Sequence, residues 1–393
     1  MNLQGVKILH LSTVDFAVKH FVSPLIRHQA ECGADVGAIC SPREYFQTLQ
    51  DEGIRMIACP MSRSASPIKQ TRALMALIKI LRKERPDVLH CHTPIAGFLG
   101  RVAGAISGVP VRIYTVHGYH FHEYSKAHHA FFYKTIERVG SRFGHNLLFV
   151  SEEDLKTARK MRLRPEDELH WVGNGINIEA CQSGPEKTAA LREELGIASD
   201  SVVIGFVGRM VAEKGLAELA TAFRNLLVSA KNITLLCVGG KLSSDDTTVV
   251  EALQDLLNDS ELSKNVVCTG LVADARQYLE VMDIFVLPSY REGLPVALME
   301  AMAARRACLA TRIRGCRELI VSEANGLLVP IRDADALQDA LLVMLESEAK
   351  REKYGEAAFE TIKRRYTEED WIDRNDEAYR EALAKRLPEK LAT

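Results

Sequence analysis

No stretch of this chain approaches the ~20 continuous apolar residues of a helical membrane span, which excludes that class. Cysteine is present, but without a pairing pattern. The nine (Cys32, Cys40, Cys59, Cys91, Cys181, Cys237, Cys268, Cys308 and Cys316) are odd in number and scattered, with no C-x-x-C among them. That arrangement argues for buried thiols in a reducing compartment. Two common phosphate loops are also missing: there is no G-x-x-x-x-G-K-[ST], and no G-x-G-x-x-G opens a helix. Solenoid-range repeats and low-complexity tracts are absent. The start does not read as a secretory leader, because it runs directly into the strand-like segment Val6 to Leu11. A cytoplasmic protein is expected.

What is present is an ordinary globular composition, 47% apolar and 26% charged, in 393 residues. That length exceeds a typical single core, so two domains are the default. Apolar runs of strand length alternate with helix-length segments. In the first half, strands are predicted at Val6 to Leu11, Val36 to Ile39, Val88 to His90, Val111 to Thr115 and Asn146 to Val150. Helices fit Phe16 to Glu31, Pro67 to Arg85, Pro94 to Ser107 and Lys126 to Phe143. In the second half, strands fit Val202 to Val207, Ile233 to Val238, Val266 to Thr269, Ile284 to Leu287 and Ala307 to Ala310. This alternation predicts an α/β protein with parallel sheets covered by helices on both faces. The polar run from Asn174 to Lys187 reads as the linker. The expected domains are 1–180 and 187–366, followed by a terminal helix in 367–393.

Chemistry concentrates in DIFVLPSYREGLPVALMEAMA, from Asp283 to Ala303. It reads as a buried strand, a loop from Pro288, and a helix with Pro295 at its first position. Glu292 then lies on a loop at the carboxyl end of a strand, where ligands of open α/β sheets bind. Glu300 lies among apolar residues of the helix and needs a hydrogen-bond partner if buried, for which a sugar or ribose hydroxyl would serve. The alternative is an exposed glutamate on an amphipathic helix. Upstream, the strand Val202 to Val207 is followed by Gly208-Arg209 and Lys214-Gly215. A glycine, an arginine and a lysine on one strand-to-helix loop suit a diphosphate, since backbone amides and cations converge there.

These pieces resemble the retaining, nucleotide-sugar-dependent glycosyltransferases of the family 4 class. The resemblance rests on Gly208-Arg209…Lys214-Gly215, the Glu-x7-Glu pair Glu292 and Glu300, Asn174-Gly175-Ile176, and Thr115-Val116-His117-Gly118. Leu287-Pro288-Ser289-Tyr290 and Phe121-His122-Glu123 bring it nearer to bacterial enzymes that extend polyprenyl-diphosphate-linked or capsular saccharides. The resemblance implies a GT-B fold, two Rossmann-like doubly wound domains facing a deep cleft, with the last helix crossing back onto the first domain. It implies that Arg209 and Lys214 neutralise the leaving diphosphate and that Glu300 binds the ribose. Glu292 would sit by the donor sugar, with the N–H groups of Gly293 and Leu294 nearby and Leu271 and Val272 against the base. His117 would line the cleft beside the sugar; a structural histidine bonded to a backbone carbonyl is the alternative. The implied donor is a nucleoside diphosphate sugar, UDP-linked and carrying a hexose or N-acetylhexosamine. The implied acceptor is a saccharide on a lipid carrier. No cofactor beyond the nucleotide-sugar co-substrate is expected, and no nucleic acid. A nucleotide-sugar epimerase or hydrolase of the same fold, and a non-catalytic nucleotide-sugar-binding protein, are the rival readings.

The loop Ser12-Thr13-Val14-Asp15-Phe16 lacks the paired glycines of many relatives. It is therefore expected on the acceptor side through Thr13 and Asp15, together with His120; helix capping is the alternative for the first two. Histidines at 90 and 92, at 117, 120 and 122, and at 128 and 129 match no zinc spacing with cysteine or acids, so no metal site is expected. Net charge of −2 hides an asymmetry: residues 1–185 hold 23 Lys and Arg against 17 Asp and Glu, and the remainder 27 against 35. Seven basic residues (Arg63, Lys69, Arg72, Lys79, Arg82, Lys83, Arg85) and one acid, Glu84, lie between 63 and 85. A basic amphipathic helix there suits an anionic membrane surface; the alternative is a core-facing helix with a solvated basic side.

Overall fold

The computed structural model describes residues 1–62, 64, 66–228, 230, 232–240 and 251–390. Arg63 of the basic segment lies outside the described residues. The chain forms two compact units, Met1–Gly173 with Trp371–Thr393, and Asn174–Asp370.

The first unit is built on seven parallel strands: β1 (Lys7–Val14), β2 (Asp35–Ser41), β3 (Arg55–Ala58), β4 (Val88–His92), β5 (Val111–Val116), β6 (Asn146–Phe149) and β7 (Leu169–Trp171). Their order is β3-β2-β1-β4-β5-β6-β7, so chain direction across the sheet reverses between β1 and β4. The inner strands are buried, mostly apolar runs because helices cover both faces, although β1 and β4 also bury His10, His90 and His92. The edge strands β3 and β7 carry no such run, and sequence reading missed both. One covering helix, Pro94–Ile106, nests unusually close. Side-chain carbons added at Gly97, Gly100 and Gly104 would fall 2.3 Å from the Tyr114 ring, 2.5 Å from Cys91 Sγ and 2.9 Å from Arg112 Cδ. Only glycine permits that approach.

Helix formation after β1 differs from expectation. Phe16 to Glu31 is not one α-helix: a π turn at Val18–Val22 separates Asp15–Ala17 from Ser23–Glu31. A π turn adds a residue without breaking the chain's course, so apolar spacing alone does not reveal it. The terminal helix Glu368–Arg386 buries Trp371, Ala378, Tyr379 and Leu383 against Leu3, Ile8, Val88 and Val111 of the first unit. Its end is tied by Lys385 and Arg386 to Glu168 at 2.9 and 3.0 Å.

The second unit has six parallel strands: β8 (Val202–Val207), β9 (Ile233–Val238), β10 (Val266–Gly270), β11 (Ile284–Leu287), β12 (Ala307–Thr311) and β13 (Leu327–Val329). The order β10-β9-β8-β11-β12-β13 again reverses at the centre, between β8 and β11. Both units are thus doubly wound α/β layers, the predicted class. The segment 174–187, read above as the linker, is held on the second unit. Asn174 donates to Leu294 O at 3.0 Å, and the Glu280 carboxylate accepts from the Ser183 and Gly184 amides at 2.7 Å each. Among the described residues, no helix is long and apolar enough to cross a membrane.

Candidate functional site

In the second unit, the reversal between β8 and β11 sets two loops side by side at the carboxyl edge, where such sheets bind ligands. Glycine makes the approach possible. Gly215 has φ +70°, and a side chain there would meet Pro288 O at 2.0 Å; at Gly315, φ +78°, it would meet Gly293 O at 1.9 Å. The Lys214 ammonium consequently reaches Glu292 Oε1 at 2.6 Å across the two loops, with both side chains largely buried. Arg209 donates to Glu213 at 3.1 Å, and Arg291 reaches the same carboxylate at 3.3 Å. Tyr290 N donates to Glu213 O at 2.9 Å, which closes the loop pair. Both cations predicted to hold a diphosphate are therefore neutralised by carboxylates, one of which is the predicted donor-sugar glutamate.

The helix predicted from Pro295 spans Val296–Ala303, with Pro295 as the extended residue before it. Gly293 and Leu294 precede that helix, and the Leu294 carbonyl is taken by Asn174. Glu300 sits one and a half turns inside, partly exposed. Burial raises its carboxyl from 4.5 to about 7; Arg276 opposes that rise and Asp274 reinforces it. Arg276 is itself gripped by Asp274, at 2.9 and 2.6 Å through two nitrogens. Beyond β10, Leu271 is 61% exposed and Val272 half-buried. Backbone bonds from Gly208 to Val238, from Gly239 to Gly270 and from Met210 to Gly240 join the loops after β8, β9 and β10.

In the first unit, His117 follows β5 and is partly exposed. Its Nε2 lies 3.2 Å from His92 Nδ1; His92 Nε2 lies 3.0 Å from His10 Nδ1, and His10 Nε2 lies 2.8 Å from Gln29 Oε1. Burial depresses His117 and His10 to about 4 and His92 well below its ordinary value, so the chain is neutral at pH 7. His10, His90 and His92 bring ring nitrogens within 4.8 Å of one another. These nitrogens are spent internally: His90 bonds Tyr379 OH at 2.8 Å and Thr115 Oγ1 at 2.7 Å.

The acceptor-side expectations separate. Asp15 does not face solvent: it is fully buried, and its Oδ2 accepts from the Arg43 and Tyr45 amides at 2.6 and 3.1 Å, bracing the loop after β2. Nor does it cap a helix. Thr13 belongs to β1, which runs on to Val14, and its hydroxyl meets Thr93 Oγ1 at 2.7 Å across the β1–β4 reversal. His120 stacks on Tyr133 with ring centres 5.1 Å apart. Sequence reading missed Thr93, Glu213, Arg276 and the Gln29–His10–His92 chain. Thr93 holds φ +64°, a conformation costly for a β-branched residue by ~1–3 kcal/mol. Its one sequence signal was its place before Pro94 at a helix start.

Residues 201–347 match the family model described as glycosyl transferases group 1, and residues 17–175 the one described as a glycosyl transferase 4-like domain. UDP-Gal:alpha-D-GlcNAc-diphosphoundecaprenol alpha-1,3-galactosyltransferase of Escherichia coli is 27% identical over 317 residues, 78% of this chain and 79% of that protein. The capsular polysaccharide biosynthesis glycosyltransferase CapM of Staphylococcus aureus is 27% identical over 376 residues, 93% and 94% of the two chains. In fold, Alr3699/HepE of Anabaena, solved in complex with UDP, aligns with a TM-score of 0.76 at 19% identity, covering 98% of this chain and 100% of that one. Sucrose-phosphate synthase of Thermosynechococcus elongatus aligns with a TM-score of 0.80 at 18% identity, covering 97% and 100%.

Proposed function

The chain belongs to the group 1 glycosyl transferases, an enzyme family of GT-B fold, and on that premise we propose that it transfers a hexose or N-acetylhexosamine from a UDP-sugar to a polyprenyl-diphosphate-linked saccharide, with retention at the anomeric carbon. The bond from the anomeric carbon to the diphosphate oxygen breaks. The acceptor hydroxyl oxygen takes its place, and the hydroxyl proton leaves with the diphosphate. Negative charge grows on the phosphates as this happens, so the largest catalytic contribution comes from cations aimed at them. The carrying observation is the pair of ion pairs at the β8–β11 edge, Lys214 with Glu292 and Arg209 with Glu213. An incoming diphosphate exchanges for the carboxylates on both cations, which releases Glu292 toward the sugar. Glu300 accepts the ribose hydroxyls, and Leu271 and Val272 flank the base. Gly208 leaves room for the phosphates, and His117 contacts the sugar.

The anionic carrier explains the outward face of the first unit. On the Pro67–Glu84 helix, Ile68 and Met75 are 68% and 63% exposed and alternate with Arg72, Lys79 and Arg82 along one face. On the Ala127–Ser141 helix, Phe131 and Phe132 are 70% and 59% exposed, one to two turns before Arg138. Apolar and basic groups on one face suit the interface of an anionic bilayer. Nine free cysteines, most of them buried, support a reducing compartment and thus its cytoplasmic side. The test is transfer from UDP-sugars to a synthetic polyprenyl-diphosphate saccharide. Arg209→Ala should lower turnover about 100-fold at saturating donor, and equal activity would remove the assignment. Products formed without acceptor separate this reading from an epimerase or hydrolase.

A further inference from the structure

The buried histidines behind His117 form a chain whose far end is an amide. The contacts run from Gln29 Oε1 to His10 Nε2 at 2.8 Å, from His10 Nδ1 to His92 Nε2 at 3.0 Å, and from His92 Nδ1 to His117 Nε2 at 3.2 Å. Each link needs one hydrogen, and a neutral imidazole carries only one. An amide oxygen only accepts, so His10 holds its proton on Nε2 and leaves Nδ1 bare. His92 must then donate from Nε2, and so must His117. We propose that Gln29, His10 and His92 lock His117 in the Nε2–H form, so that its bare Nδ1 is presented as a hydrogen-bond acceptor to a sugar hydroxyl.

Turning the Gln29 amide over would reverse every link, and His117 would then present an Nδ1–H donor. The amide is set with Oε1, not its N–H, toward His10, at 2.8 Å. Burial keeps the whole chain neutral, and the charges that perturb His90 and His92 are those of the neighbouring histidines. His10 is fully buried and His92 is 3% exposed, whereas His117 is the member that reaches solvent. No described residue bonds its Nδ1. These are positioning residues, because Gln29 and His10 act through His117 and touch no substrate. Three histidines on β1, on β4 and after β5 thus convert one amide orientation into a recognition rule. A hydroxyl donor is accepted, and its methyl ether or deoxy analogue loses the bond.

The inference rests on the reading that His117 contacts the donor sugar, and the experiment separates the two. Long-range proton–nitrogen correlation spectra of the full chain, labelled with ¹⁵N-histidine, report each tautomer between about pH 6 and pH 8. His10, His92 and His117 should all show Nε2–H and bare Nδ1. An Nδ1–H form of His117, a charged ring, or a shift of all three on adding Zn²⁺ alone overturns the lock. UDP-glucose at saturation should then move His117 Nδ1 toward a hydrogen-bonded shift, while UDP should not. A lock with no such response means that the contact with sugar fails. Gln29→Leu should mix the tautomers of His117 and lower kcat/KM about tenfold with UDP affinity unchanged, the scale of one neutral hydrogen bond. Gln29→Asn, which keeps an amide oxygen, should recover part of both signals. Equal losses in the two variants that follow only a fall in Tm would mark the chain as structural.

Discussion

Glu300 makes the function of this chain testable by pH. Burial within an apolar helix raises its carboxyl from 4.5 to about 7, which at 1.36 kcal/mol per pH unit is roughly 3 kcal/mol against the charged form. Partial exposure makes that an upper figure. The sign follows from linkage. The folded protein holds this proton more tightly than the unfolded chain, so the contribution to stability is full below 4.5 and lost as pH rises to about 7. Nucleotide binding runs the other way, because ribose hydroxyls donate to a carboxylate and so favour ionisation. UDP affinity should fall by as much as tenfold per pH unit below about 7. Calorimetric titration of UDP against wild type and Glu300→Gln between about pH 5.5 and pH 8.5 isolates the effect, since the nucleotide's own ionisation cancels in the ratio. The ratio of variant to wild-type Kd should exceed ten near pH 8 and approach one near pH 5.5. A ratio that stays constant across the range would refute the ribose role. Glu300→Gln should also raise stability near pH 8 by up to ~3 kcal/mol, as a buried charge is removed.

Glu292→Gln frees Lys214 from its 2.6 Å partner, so UDP should bind at least as tightly as to wild type while turnover drops 100-fold or more; weakened UDP binding would mean that the pair shapes the loop instead. Transfer should persist in excess EDTA, because Arg209 and Lys214 carry the leaving-group charge, and loss restored only by Mg²⁺ or Mn²⁺ would sink that view. Sedimentation with anionic vesicles should exceed that with neutral ones at low salt; Phe131→Ser with Phe132→Ser, or Lys79, Arg82 and Lys83 each to Glu, should abolish the excess. Gly315→Ala should cost several kcal/mol in denaturant unfolding or displace the 288–294 loop, since its side chain would lie 1.9 Å from Gly293 O.

Sequence alone determined the layers and the chemistry-bearing loops. Buried parallel strands leave continuous apolar runs, and loops after strands concentrate glycine and charge; both signals are local. Strands β1, β8 and β11, and the positions of Arg209, Lys214, Glu292 and Glu300 relative to them, were legible for that reason. Short edge strands such as β3 and β7 give no such run, and a π turn leaves apolar spacing intact. Tertiary structure decided everything that depends on which strands become neighbours. Lys214 and Glu292 are 78 residues apart, and their ion pair exists because β8 lies beside β11. His10 and His92 are 82 apart, and their contact exists because β1 lies beside β4. Asp15, expected on the acceptor side or as a cap, is also a buried brace, since the loop after β2 offers it two amides. Strand order is set by burial summed over the whole sheet, a quantity that no local window of sequence contains.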